Sequence, residues 1–368
     1  EAGARELAVQ AWRYEPLSSR VEVRAATILR GDSTIAVPLD ELVDLPQPQS
    51  GIYWGPRMRV LPLPRLRVGD GIELRSFRKG FSYALLADGT GGVAAGPGAA
   101  AAGAAASAQD TDPSVPADAA ADAAASAAAS AAASAAAEDD ARFVPPMEGE
   151  YFDIVRFQSS VPVLEAEYTL CLPVGRHLQS EVYNGPLFAS TRFTADSTYY
   201  TWRGRDLPPL PDEPRQPDES DVGIKVVLAT AADWEAKSRW FFDANRSQFE
   251  ATDAIRAKVA EILRERGLTD AGEERKAAAL LHWVAQNIRY SGQTMGPGEG
   301  YTLHSGEMIF AQRSGVCKDI AGMLVTMLRA GGMDAQAAMT MAGSRIEAVP
   351  ADQFNHCVVA LRRPDGRF

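Results

Sequence analysis

The sequence predicts an α+β chain, an N-terminal antiparallel β-sandwich-like domain followed by a mixed core of helices and strands. Three observations carry this. Apolar residues alternate with period two from Arg20 to about Leu86 and again between Tyr151 and Leu172, the period becomes helical beyond Asp233, and a β-branched run from Phe354 to Leu361 forms a last strand. At 368 residues the chain is long enough to bury two cores.

In the first block Val21, Val23 and Ala25 alternate with Glu22 and Arg24, and Arg30-Gly31-Asp32-Ser33 closes a hairpin. Gly69-Asp70-Gly71 predicts a second antiparallel pair, Leu66 and Val68 against Ile72 and Leu74. Residues 91–141 change abruptly to Ala, Ser, Gly and Asp with hardly a large side chain, an Ala-rich low-complexity linker inserted in the β domain. That domain accordingly takes residues 1–90 and 142–230. Strands resume at Tyr151–Phe157 and Val163–Leu172, where Leu164, Ala166, Tyr168, Leu170 and Leu172 share one face. The Pro-rich stretch at 208–217 cannot donate regularly to a ladder and reads as a surface connection, and a strand follows at Ile224–Leu228.

The core takes residues 231–368. Ile255, Val259, Ile262 and Leu263 form one helical stripe ending at Gly267. Asp270 is placed to cap a second helix that carries Leu280, Leu281, Val284 and Ile288. Ile320, Met323, Leu324, Met327 and Leu328 predict a buried helix that starts near Cys317 and stops at Gly331-Gly332, about four turns long.

Composition removes several function classes. A formal net charge of −11 without any Lys/Arg cluster opposes a nucleic-acid partner. Three cysteines, Cys171, Cys317 and Cys357, are too few for a disulfide scaffold. His177, His282 and His304 show no metal spacing and read as polar or packing residues, so neither metal nor cofactor is expected. The glycine-rich run Gly296–Tyr301 lacks the Lys-Ser/Thr pair of a phosphate loop and reads as an ordinary loop. No run of large apolar residues is long enough to span a bilayer. The first residue is Glu1 rather than Met, which fits a processed export signal or a cut start.

Chemistry concentrates on one thiol and one imidazole. Cys317 in a first helical turn meets free N–H groups and the positive end of the helix dipole, which favour a thiolate and an oxyanion beside it. His356 lies on the last strand. If it faces Cys317, strand alternation turns Cys357 away to pack. Asp365 occupies the turn Pro364-Asp365-Gly366 and is explained by that turn.

The segments RSGVCKDIAGMLVTMLRAGGMDAQA, FNHCVVAL and LLHWVAQNIRY resemble the core of the bacterial transglutaminase-like superfamily. Upstream, VGDGIELRSF, SSVPVLEAEYTLCLP and YTWRGRDLPPLPDEP resemble the DUF3857 domain that precedes such cores. The resemblance implies a papain-like α+β fold with Cys317 as nucleophile and His356 as general base and acid. The family's orienting carboxylate lies on the strand after the histidine strand, so the third catalytic residue is expected beyond Phe368 and the core here is expected to be incomplete and impaired. It further implies a cysteine hydrolase or acyltransferase acting on peptide or side-chain amides through a thioester, with a protein or peptide substrate, in the periplasm or cell envelope. A catalytically inactive peptide-binding or envelope assembly module is the alternative.

Overall fold

The computed structural model describes residues 7–16, 18–47, 56–81, 143, 147–211, 213–291 and 302–368. The Ala-rich stretch 91–141 and the loop at 296–301 lie outside the described residues. The described chain forms two compact units, residues 7–47 with 56–81 in one and 147–368 in the other.

The first unit holds six strands, β1 (Val9–Tyr14), β2 (Ser19–Arg30), β3 (Ser33–Ala36), β4 (Val43–Pro46), β5 (Arg57–Pro62) and β6 (Gly71–Gly80). They form two antiparallel sheets ordered β1-β5-β4 and β3-β2-β6. Period-two burial along β2 puts Ala26 and Ile28 into a core with Val37, Leu61 and Leu63. The first hairpin forms with Arg30 opposite Ser33 and Gly31 in the left-handed region at φ 56°. The second does not. β6 pairs with β2, and residues 63–68 form no strand. Pro62 and Pro64 have no N–H to give a ladder, while Asp70 accepts from the Arg67 N–H at 2.7 Å and ion-pairs with Arg30 at 2.6 Å. The glycine turn is there, but it joins a loop to a strand.

The second unit opens with β7 (Phe152–Arg156), β8 (Val163–Pro173), β9 (Gln179–Tyr183), β10 (Phe188–Phe193), β11 (Ser197–Leu207), a single turn α1 (Glu219–Val222) and β12 (Lys225–Ala229). The antiparallel sheets β10-β11-β8 and β7-β12-β9 share a core of Leu170, Leu172, Trp202, Leu207, Val226 and Leu228. Leu164, expected on that face, is 80% exposed at the end of its strand. β12 is buried on both faces. Val226 and Leu228 enter the sandwich core, and Val227 and Ala229 pack against Val349 and Ala351.

Helices α2 (Trp234–Asn245), α3 (Asp253–Glu265) and α4 (Glu273–Asn287) follow, then the two-residue strand β13 (Arg289–Tyr290), α5 (Gly306–Gln312), β14 (Ser314–Gly315), α6 (Cys317–Ala330), β15 (Asp334–Thr340) and β16 (His356–Arg362). The stripe Ile255, Val259, Ile262 and Leu263 is wholly buried on α3, and Gly267 leaves the helix at φ 64°. Gly272, not Asp270, is the N-cap of α4, and Leu281 on that helix is half exposed. The buried residues of α6 lie on all its sides, so it forms the centre of the core, with α3, α4, α5 and the β15-β16 hairpin packed around it. Each large side chain removed from water there stabilises the fold by about 1.5–3 kcal/mol.

Candidate active site at the start of the central helix

Cys317 is the first residue of α6 and is only 5% exposed. The helix starts here because of Asp319. Its carboxylate turns back to accept the Val316 N–H at 3.1 Å, one half of a capping box. Gly315 makes room for it, since a Cβ there would lie 2.7 Å from the Asp319 Cβ. The same carboxylate accepts the His304 N–H and meets the His304 Nδ1, both at 3.1 Å. Lys318, also buried, donates from Nζ to the Thr302 carbonyl at 2.6 Å. Two buried charges of the first turn thus pin residues 302–304 beside the thiol.

Burial pushes the Asp319 carboxyl up, but the hydrogen bonds and charge of His304 outweigh it and hold the group below its ordinary range. His304, read from the sequence as an ordinary polar residue, is therefore part of the scaffold of the helix start. The Asp three positions after a helix N-cap signals a cap in the sequence, whereas nothing local to His304 announces its partner.

The backbone N–H groups of Cys357 and Lys318 and the Tyr290 hydroxyl lie near the Cys317 sulfur and favour its anion. Tyr290 reaches it because β13 pairs in parallel with β14, placing Tyr290 opposite Gly315, two residues before the cysteine. Desolvation is the dominant influence on the thiol. Burial pushes it up, and the three donors pull the other way without cancelling it. The helix terminus therefore does not produce the depressed thiol expected from the sequence, because the dipole acts on a group that is removed from water. Alkylation of Cys317 by iodoacetamide is expected to have its pH midpoint above the ordinary thiol range. Peptide mapping of the adduct across pH checks this, and a midpoint below that range would contradict it.

His356 opens β16 opposite Thr340 and is half-buried. Asn355 fixes its approach by bonding the Ala342 N–H at 2.8 Å and the Ala342 carbonyl at 2.9 Å. The sulfur thus lies against the amide that follows the histidine. Among the described residues the imidazole makes no hydrogen bond, to the sulfur or to a carboxylate. Cys357 is expected to face away from the thiol only if His356 faces it; here Cys357 is on the buried side of β16 and His356 on the other side of the pleat, and burial together with the nearby Cys317 pushes the Cys357 thiol up to about 12. The same pleat carries Val359 and Leu361 into the α6 core, so the odd-numbered face of β16 is the one that packs on the helix. Asp365 sits exposed in the predicted turn and pairs with Arg367 at 2.7 Å.

A groove of about 520 Å³ runs past Tyr290, lined by Gln286, Asn287, Ile288 and Arg289 and by Ile320, one turn along α6 from the thiol. Among the described residues neither Cys317 nor His356 lines this groove, and Tyr290 is the lining residue that lies near the sulfur.

Family comparison gives two matches, the domain of unknown function DUF3857 over residues 1–211 and the transglutaminase-like superfamily over residues 259–368. A crystal structure of a candidate protease from Parabacteroides distasonis superposes with a TM-score of 0.64 at 15% identity, over 98% of this chain and 58% of that one. This chain thus spans about three fifths of that protein, and the likeness concerns the fold. A candidate cysteine protease from Cytophaga hutchinsonii gives 13% identity over 58% of this chain and 72% of that one, with a TM-score of 0.25. The periplasmic domain of TgpA from Pseudomonas aeruginosa gives 15% over 60% and 80%, with a TM-score of 0.24. No curated protein matches the chain.

Proposed function

The chain belongs to the DUF3857 family and its residues 259–368 to the transglutaminase-like superfamily, and from that premise we propose that it is a cysteine hydrolase or acyltransferase acting on amide bonds of proteins or peptides. The observation that carries the proposal is the buried Cys317 at the start of α6, near the Tyr290 hydroxyl and the strand that His356 opens.

In this reading the thiol is stored protonated and loses its proton to His356, once the start of β16 turns the imidazole toward it, as sulfur attacks the amide carbonyl carbon. The carbonyl oxygen becomes an oxyanion held by N–H groups of the helix start and the Tyr290 hydroxyl, each worth about 3 to 4 kcal/mol in comparable sites. The imidazolium returns the proton to the leaving amine as the C–N bond breaks. Water or a second amine then resolves the thioester, giving hydrolysis or transfer. We place this activity in the periplasm or cell envelope. Among the described residues no helix is long and apolar enough to cross a membrane.

The test is the covalent intermediate. After acid quench, intact-mass measurement with peptide or glutamine-amide acyl donors is expected to show an acyl adduct on Cys317 that hydroxylamine discharges and that is absent in Cys317→Ala. Added amines then report how the thioester partitions. A second reading, a binding module without turnover, draws support from the burial of Cys317 and the unpartnered imidazole. Tight peptide binding with no adduct from any donor would favour it and overturn the enzyme.

A further inference from the structure

We propose that Arg289 makes the groove beside Cys317 a carboxylate subsite, so that the preferred acyl donors carry a negative charge next to the reacting carbonyl. The inference rests on the reading of Cys317 as the nucleophile.

The groove has the volume of a site for a few residues of peptide. Most of its lining is already committed. The Asn287 Nδ2 donates to the Trp283 carbonyl at 2.8 Å, Ile288 is buried in the core, and Tyr290 lies near the sulfur. Arg289 is different. Its backbone is fixed, since its N–H donates to the Arg313 carbonyl at 2.8 Å and it pairs with Ser314 across the β13-β14 bridge. Its side chain is exposed and, among the described residues, pairs with no carboxylate. Some arginines of the same unit, such as Arg203 and Arg239, pair with carboxylates, while others, such as Arg264, Arg266 and Arg275, do not among the described residues, so what marks Arg289 is its place at the groove.

Arg289 is the only charged side chain lining that groove among the described residues. A guanidinium presents a planar fork that matches a carboxylate with two parallel hydrogen bonds, and a rigid two-residue strand spares it the cost of ordering its own backbone. Groove, fixed strand and free fork together select a carboxylate over the amide of the same shape. Two sources share this chemistry, an Asp or Glu side chain flanking the reacting amide and a free C-terminal carboxylate close to it.

The experiment measures binding of fluorescein-labelled tetrapeptides by anisotropy in a Cys317→Ala background, which removes turnover. One pair differs as Glu against Gln with an amidated terminus, and a second neutral pair differs as free acid against amide. With Arg289 present, at least one carboxylate form is expected to bind about tenfold more tightly than its uncharged isostere, and which pair responds identifies the source. In Arg289→Gln the contrast should fall to about one, and Arg289→Glu should prefer a Lys peptide. No contrast with Arg289 present, or a contrast that survives in Arg289→Gln, overturns the subsite. Carboxylate selectivity without any thioester on Cys317 in the unsubstituted protein would keep the subsite and sink the catalytic reading. Thioester formation indifferent to peptide charge would do the reverse.

Discussion

Acyl-enzyme formation on Cys317 is expected to slow by about 10⁴- to 10⁶-fold when His356 is replaced by Ala, the range seen when a nucleophile–histidine pair loses its base or its orientation. The size follows from the state of the sulfur. Burial holds the thiol above its ordinary range, so at neutral pH almost none of it is thiolate and attack depends on a base that takes the proton. Because the thiol must ionise unaided in the variant, its residual rate should climb about tenfold per pH unit from neutrality to the raised thiol range. The unsubstituted protein should not show that climb, because the base rather than solvent takes the thiol proton. Single-turnover acylation across pH measures both. Folding should be little affected, because the half-buried imidazole makes no hydrogen bond among the described residues. A His356→Ala variant within tenfold of the parent at pH 7 would remove the histidine from the mechanism.

The elements legible in the sequence were those whose periodicity needs no distant partner. The stripe from Ile320 to Leu328 and the glycines at 331 and 332 fix α6, and the β-branched run after Asn355 fixes β16. Arg30-Gly31-Asp32-Ser33 is likewise complete in itself. The turn at Gly69-Asp70-Gly71 misled because its partner strand is chosen by tertiary pairing, which Pro62 and Pro64 had already denied to the preceding residues. Around the thiol the failures share another cause. The helix dipole is visible in the sequence, but desolvation, the larger influence, depends on what covers Cys317. Tyr290 and His304 lie 27 and 13 residues before the thiol, so only the β13-β14 pairing and the buried Asp319 bring them there. Cys357 faces the helix because the pleat of β16 is set by Val359 and Leu361, which must enter the core.

Lys237→Met and Asp352→Leu are each expected to cost about 3–5 kcal/mol of stability, while the double variant should be near neutral or better. The pair joins α2 to the β15-β16 loop, and both side chains are almost fully buried. Removing either takes the counter-charge away from the other in a poorly polarisable interior, whereas removing both exchanges two desolvation penalties for apolar packing. Urea unfolding of the four-member cycle measures this, and single losses under about 1 kcal/mol, or a double loss equal to their sum, would show the charges to be solvated. The pH dependence has a definite sign. Burial raises the Asp352 carboxyl and Lys237 offsets only part of the rise, so the folded state binds this proton more tightly than the unfolded chain does. Stability of the parent should therefore decline as pH rises from the ordinary carboxylate range, about 4, through the folded value, and that contribution should vanish in Asp352→Leu. The loop concerned reaches His356 four residues later and is tied down at further points, Lys225 to Glu347 at 2.8 Å and the Trp234 indole to the Ala348 carbonyl at 2.8 Å. Loss of the Lys237 counter-charge at Asp352 should loosen the start of β16, lowering acylation of Cys317 in step with stability, and the double variant should restore both together.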